Sequence, residues 1–309
     1  MDRAKACDMS MYNRVISWPA LSKAVDMVLL KSSQNNYIDS TFRDKWANAQ
    51  ANNIRTGVWH FYHPNVDYGI QSKTFLDIYN TLNPKPKAIA LDCEDISYKT
   101  SEGTWARVDP NSKQEYTLWV MNWLTVVERS TGVVPGIYTR KSFWDNWVCR
   151  SGEKFVYSGK EFTAPDWSRY WLWVANYYVT NPAIPLDWKT WKFWQWGTYQ
   201  TDGIQTPVDA DWYNGTVQDM DAWLGTPPKP PVTPPVDPVV PVKPTLRYKA
   251  NATINIRSYP NTYAPIVGTV AVNSEVIPTD IDGIDAWVQI APDKWVCKRY
   301  GAMTFLDQI

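Results

Sequence analysis

Two carboxylates, Asp92 and Glu94, close the apolar run Ala88-Ile89-Ala90-Leu91-Asp92-Cys93-Glu94-Asp95. If that run is a strand, side chains two positions apart leave the same face, with Cβ atoms roughly 6–7 Å from one another. Carboxyls that close do not ionise independently, so one of them holds its proton to a higher pH. A protonated acid beside an ionised partner is what cleavage of a glycosidic bond requires. Solvated acids at a strand end, a metal ligand or a helix cap would give the same spacing, and the rest of the chain has to decide.

Other chemistries find less support. His60 and His63 are the only histidines, and two in one loop cannot furnish a typical zinc hydrolase site without carboxylate or thiolate help. No G-x-S-x-G occurs, so serine hydrolysis has no nucleophile elbow. The cysteines Cys7, Cys93, Cys149 and Cys297 show neither paired spacing nor C-x-x-C, which suits small buried residues of a chain made in a reducing compartment. No metal and no cofactor is expected.

The carboxylates can act only if the fold gathers them. Apolar or β-branched runs at residues 4–7, 25–30, 57–61, 88–91, 133–138, 171–175 and 192–196, and near Val208, alternate with amphipathic segments such as 40–53, 68–82 and 115–130. This alternation predicts βα units around a parallel sheet. About eight strands in about 215 residues suit an α/β fold of the irregular (β/α) TIM-like barrel type, with some linking helices short or missing. Nearly every run ends in a residue suited to a site: Asp8, Lys31, His60 with Tyr62, Asp92 with Glu94, Tyr138, Asn176 with Tyr177, Gln195 and Asp209. Active sites of such barrels collect at the C-terminal ends of the strands. Carboxylates on the first, fourth and eighth strands would meet there only in a closed barrel.

A Pro-rich segment holding nine of the 23 prolines divides the chain into a catalytic domain at 1–225, a semi-rigid linker at 226–245 and a second domain at 246–309. The second domain reads as short strands separated by turns, a small all-β barrel. Basic and acidic residues balance at 31 each, which disfavours nucleic acid as a partner. No apolar run of 18 residues is present, so no membrane insertion is expected. The N-terminus lacks the apolar core of a secretion signal. Nineteen Trp and eighteen Tyr exceed what a core needs, and rings that stack on sugars while offering an N–H or O–H are one use for the surplus.

The ordered motifs resemble those of glycoside hydrolase family 25, a family of lysozymes. Cys7-Asp8-Met9-Ser10 with Trp18 is similar to the family's opening, and Leu30-Lys31-Ser32-Ser33-Gln34 with Tyr37 and Asp39 to its second segment. Gly57-Val58-Trp59-His60-Phe61, Leu91-Asp92-Cys93-Glu94, Trp173-Val174-Ala175-Asn176-Tyr177 and Trp194-Gln195-Trp196 followed by Val208-Asp209 continue the resemblance in order. In the tail, Ile254-Asn255-Ile256-Arg257-Ser258-Tyr259-Pro260 resembles a bacterial SH3-type wall-binding domain, with Tyr259 where glycine is usual.

The resemblance implies a peptidoglycan hydrolase cutting the β-1,4 bond from N-acetylmuramic acid to N-acetylglucosamine. It implies Glu94 as general acid, Asp92 as its ionised partner, and Asp8 and Asp209 as positioning carboxylates. Asp92 could act as nucleophile or orient the 2-acetamido group. Trp59, His60, Tyr62, Tyr138, Asn176, Tyr177, Gln195 and Trp196 are the expected substrate-binding residues, with His60 bonded to a central carboxylate. The partners implied are bacterial peptidoglycan and a wall ligand for the tail domain. A phage endolysin, made in the host cytoplasm and acting on the wall after release, fits best. A bacterial autolysin, a chitinase-like barrel or a non-catalytic wall-binding protein are the alternatives.

Overall fold

Period-two alternation along the N-terminal strands sends two sets of side chains to two different places. The computed structural model describes residues 3–99, 104–225, 247–257, 265–276, 280–281, 287–291, 294–297, 299–300 and 303–308. Its first unit, Met1–Pro230, carries strands β1 (Lys5–Met9), β2 (Met27–Gln34), β3 (Arg55–Phe61), β4 (Ile89–Asp92), β5 (Gly136–Thr139), β6 (Trp171–Ala175), β7 (Phe193–Tyr199) and β8 (Val208–Tyr213). They pair in chain order, and β8 returns to β1 to close a barrel. All neighbours are parallel except those of β8, which runs antiparallel to β7 and β1. The loop at 200–207 is too short for the crossover that a parallel pair needs. The irregular (β/α) barrel is therefore present, with its last strand reversed.

Helices α1 (Trp18–Ala24), α2 (Phe42–Ala51), α3 (Tyr68–Tyr79), α4 (Lys113–Thr131) and α5 (Lys141–Trp147) follow β1 to β5 in turn, and α6 (Val217–Leu224) follows β8. The longest, α4, begins at Ser112, whose hydroxyl accepts from Glu115 N at 3.1 Å. It ends at Gly132 in the left-handed conformation that glycine adopts without strain (φ +68°). A segment without an α-helix joins β6 to β7.

The barrel interior mixes small and large side chains. Ala4, Ala6, Ala88 and Ala90 leave the room that Trp59, Trp173 and Phe193 fill. At Gly136 a Cβ would lie 2.2 Å from the Trp171 ring, so the ring occupies the space a side chain would need. The alternate positions, among them Val28, Leu30, Val58, Ile89, Leu91 and Val174, pack outward against Phe42, Phe75, Trp123 and Leu124 of the helices. Each such buried side chain contributes roughly 1.5–3 kcal/mol.

The second unit, Pro231–Ile309, is all-β in its described residues. Ile254–Arg257 pairs antiparallel with Ile266–Val270 and with Lys294–Cys297, and Tyr248–Ala250 with Glu275–Val276 and Leu306–Gln308. Tyr248, Ala250, Ile254, Val270, Val276, Val296 and Leu306 form its own core. Ser258-Tyr259-Pro260 of the expected tail signature lie outside the described residues.

Candidate active site

Inward-facing residues at the C-terminal ends of the parallel strands, and at the start of the reversed β8, build one acidic cluster. Asp92 ends β4, and its backbone is fixed on both sides. Tyr62 N donates to Asp92 O at 3.0 Å, and Cys93 N donates to Tyr138 O at 2.8 Å. The Thr139 hydroxyl also donates to Cys93 O at 2.8 Å. Glu94 follows, half-buried and near enough to Asp92 for the two carboxyls to repel.

Across the barrel, Asp8 of β1 lies opposite Asp209 of β8 in the ladder. Gln195 Nε2 donates to Asp8 Oδ2 at 2.7 Å. The hydroxyls of Tyr138 and Tyr177 donate to Gln195 Oε1 at 2.8 and 2.6 Å. A relay thus runs from the exposed Tyr177 to a buried carboxylate.

Burial dominates the electrostatics. Burial, then the negative Asp95, push Glu94 up to about 7, against the opposing pull of Arg140 and Lys31. Burial and the neighbouring Glu94 raise Asp92 well above the usual carboxylate range, and Lys31 opposes that. The pair therefore holds one proton near neutrality. Lys31 biases where it sits. Its ammonium lies over the Phe61 ring at 4.4 Å and the Trp59 ring at 5.3 Å, and donates to Gln34 Oε1 at 2.6 Å. Asp92 is its strongest charged partner, so the ammonium favours ionisation of Asp92 more than that of Glu94.

A fifth carboxylate joins them. Asp211 shares the inward face of β8 with Asp209 and accepts from Trp173 Nε1 at 2.7 Å. Its carboxyl and that of Asp8 are hydrogen-bonding neighbours, which requires a shared proton, and burial pushes Asp211 up to about 8. Period two along β8 was the signal available for it.

The expected binding residues divide. Tyr138, Tyr177 and Gln195 stand with the carboxylates, as described above. His60 and Tyr62 do not. Along β3, Trp59 and Phe61 face inward, so His60 and Tyr62 face the helices. His60 donates from Nε2 to Gln71 Oε1 at 3.2 Å, accepts from the Ser33 hydroxyl at Nδ1 (2.8 Å) and stacks on Trp123. Burial lowers its pKa to about 3, and it bonds no central carboxylate. Tyr62 packs edge-on against Tyr116.

Trp196 is also turned outward, against Trp212, because Gln195 takes the inward position beside it. Trp59 is buried beneath Lys31, its indole donating to Leu29 O at 3.2 Å, and presents no face to a sugar. Asn176 holds its own loop, its Oδ1 accepting from Ala183 N at 2.7 Å.

The Trp surplus is largely core, with Trp123, Trp144, Trp167 and Trp173 among the largest fully buried side chains. Exposed rings at the mouth are tyrosines: Tyr12 after β1, Tyr37 after β2, and Tyr177 and Tyr178 after β6. Tyr178 adopts φ +55°, and its ring lies over Gly197. Tyr177 was expected, and the place of Tyr12, Tyr37 and Tyr178 in segments beyond strand ends could have marked them too.

A cavity of about 570 Å³ opens elsewhere, lined by Lys87, Val133, Trp171, Lys192 and Trp223 near strand N-termini. It holds no carboxylate, and the chemistry stays with the acidic cluster. Among the described residues, no group of three His, Cys, Asp or Glu side chains is arranged to hold a metal ion. No helix among them is long and apolar enough to cross a membrane.

Residues 7–204 match the family model for glycosyl hydrolases family 25. The YegX protein of Escherichia coli K12 is 28% identical over 225 residues, covering 70% of this chain and 72% of that protein. Lysozyme M1 of Streptomyces globisporus is 24% identical over 212 residues, 68% of this chain and 67% of its own length. Among solved structures, the bacterial lysozyme of Streptomyces coelicolor superposes with a TM-score of 0.59 at 22% identity, covering 72% of this chain and 98% of that one.

Proposed function

The chain belongs to glycosyl hydrolase family 25 and is a lysozyme-type peptidoglycan hydrolase, and we propose that it cleaves the β-1,4 bond from N-acetylmuramic acid to N-acetylglucosamine. The observation that carries this is the Asp92/Glu94 pair at the end of β4, gathered with Asp8 and Asp209 at one barrel mouth, where burial pushes Glu94 up to about 7. Glu94 gives its proton to the leaving oxygen as the C1–O bond breaks. It then takes a proton from the water that completes hydrolysis.

Asp92 acts on the substrate's acetamido group. Its Oδ1 is buried with no hydrogen-bond partner among the described residues. An unmet carboxylate oxygen at such a site is strongly disfavoured unless something supplies a donor. The acetamido N–H does so, turning its carbonyl oxygen toward C1. That oxygen bonds to C1 as the leaving group departs, and water later opens the ring with net retention.

Asp8 and Asp209 add negative potential where positive charge develops on the sugar. Tyr177, with Tyr12, Tyr37 and Tyr178, supplies ring faces for neighbouring sugars.

Purified walls digested by the wild type are expected to gain muramic reducing ends, and Glu94→Gln to give almost none. Free amines or glucosamine reducing ends would overturn the reading. A stable thiazoline mimic of the cyclised sugar should compete for the site. A glycosyl–Asp92 adduct trapped by a fluorosugar and seen by mass spectrometry would instead make Asp92 the nucleophile.

The tail, residues 246–309, is proposed as an SH3-type wall-binding module. The Pro-rich spacer tethers it to the enzyme and raises local concentration on an insoluble substrate. Removing it should weaken wall lysis far more than cleavage of short soluble glycans, and equal losses would refute the assignment. The two-module plan supports a phage endolysin acting on its host's wall. Expression inside bacteria is then expected to be harmless until the membrane is permeabilised, and lysis without permeabilisation would argue for an exported autolysin.

A further inference from the structure

The residue after the acid is itself an acid. Asp95 is only 10% exposed at its side chain, and Arg140, the residue following β5, binds it through Nη2. Arg107, from the strand Trp105–Val108, approaches its other oxygen at 3.5 Å. Arg140 serves as N-cap of α5 without a side-chain cap bond, so the helix start does not require a guanidinium there. Its Nε is buried with no partner among the described residues, so Asp95 is what holds it in place.

We propose that the Asp95–Arg140 ion pair is a positioning device for Glu94, a balanced pair of charges that anchors the acid's turn and cancels its own field there. This rests on Glu94 being the general acid. The mechanical half is geometric. Cys93 is bonded to β5 through Tyr138 O and the Thr139 hydroxyl, and Asp95 is bonded to the same strand end through Arg140. Glu94 sits between two anchors to one neighbouring strand.

The electrostatic half follows from proximity. Glu94 is faced by Asp92 from β4, Lys31 from β2, Asp209 from β8, and the pair itself, with the uncharged phenols of Tyr138 and Tyr177 nearby. Asp95 favours the protonated acid and Arg140 the ionised one, so the two oppose each other at the same carboxyl.

Charge removal one side at a time tests this. Asp95→Asn leaves Arg140 uncompensated and should lower the alkaline limb of the activity profile by about 0.5–1 pH unit. Arg140→Gln leaves Asp95 with only the half-exposed Arg107 at 3.5 Å and should raise it, by a smaller amount. The double variant should return toward wild type, and Arg140→Lys, which keeps the charge, should stay near it.

Carbon-13 titration of the Glu94 carboxyl, identified by its loss in Glu94→Gln, reads the same shifts without any substrate. The positioning role is therefore separable from the muramidase reading. Opposite single shifts with a restored double support the proposal. Single variants that move in the same direction, or folded variants that do not move the titration, overturn it. If Arg140→Gln fails to fold, a titration lowered by Asp95→Asn and left in place by Arg140→Lys supports the proposal, and Asp95→Asn leaving it unmoved overturns it.

Discussion

Two buried polar clusters lie on opposite faces of the barrel wall, and they treat their hydrogen bonds differently. Outside β3, His60 has both ring nitrogens met, and Gln71 Nε2 donates to His63 O and Val66 O at 3.0 and 2.8 Å. What stays unmet in that layer is neutral, such as the Tyr62 hydroxyl and the Trp123 indole. Inside the barrel mouth, Asp92 Oδ1 is a carboxyl oxygen without a hydrogen-bond partner among the described residues. An unmet carboxylate oxygen is costlier than an unmet neutral group. The outer cluster is arranged for stability, and the inner one keeps an acceptor ready for a substrate or a proton.

The largest break in this contrast is expected at the acid. Glu94→Gln should lower kcat on peptidoglycan by about 10²–10⁴. The same change should stabilise the fold at alkaline pH. Glu94 has a folded-state pKa raised to about 7 from 4.5, so the folded state binds the extra proton. Stability therefore falls as pH rises from 4.5 through 7, and a glutamine is free of that loss. Thermal unfolding at pH 8 should favour the variant by roughly 1–3 kcal/mol, with no gap at pH 4. An equal change at both pH values would show that Glu94 is not held protonated.

His60→Ala probes the other cluster. It removes a ring packed against both Trp123 and Phe75 and leaves Ser33 and Gln71 short of a partner. Urea unfolding should show a loss of about 2–4 kcal/mol. The alkaline limb of the activity profile should stay put, because this imidazole is neutral throughout the working range. A shifted limb would couple His60 to the acid after all.

Much of this arrangement was legible before any coordinates. Apolar periodicity marked all eight barrel strands, and strand ends marked Asp8, Asp92, Glu94, Tyr138 and Gln195 because barrel topology brings such ends together, whereas Asp209 reaches the same mouth from the start of the reversed β8. What failed was the choice of face. His60, Tyr62 and Trp196 neighbour inward residues by one position, and a shift of one residue sends a side chain to the opposite layer. The register slips one residue between Lys31 and Ser33 and between Gln195 and Gly197, where simple alternation is least reliable. The Asp8–Asp211 contact could not be read at all, since it depends on how two strands far apart in sequence are registered.

Asp211→Asn sharpens the inner cluster by a smaller amount. An amide can accept from Trp173 and donate to Asp8, replacing the shared proton. Asp211 is raised to about 8 from 3.8, so wild-type stability declines with rising pH across that window. The variant should be more stable at pH 8 by roughly 1–2 kcal/mol and no different near pH 3.5, as read by thermal unfolding at the two pH values.

The smallest expected effect separates two aromatic rings that the sequence treats alike. Tyr177 is 48% exposed at the mouth and bonded to Gln195, whereas Trp196 lies on the outer surface against Trp212. Tyr177→Ala should raise KM for a soluble glycan by about fivefold, the equivalent of roughly 1 kcal/mol of ring stacking. Trp196→Ala should leave KM within about twofold and lower the melting temperature instead, because its contacts are all with the protein. Measuring KM and Tm for both variants tests the pair together. If Trp196→Ala raises KM as much as Tyr177→Ala does, the outer face of β7 belongs to the substrate path, and the division between the two layers fails there.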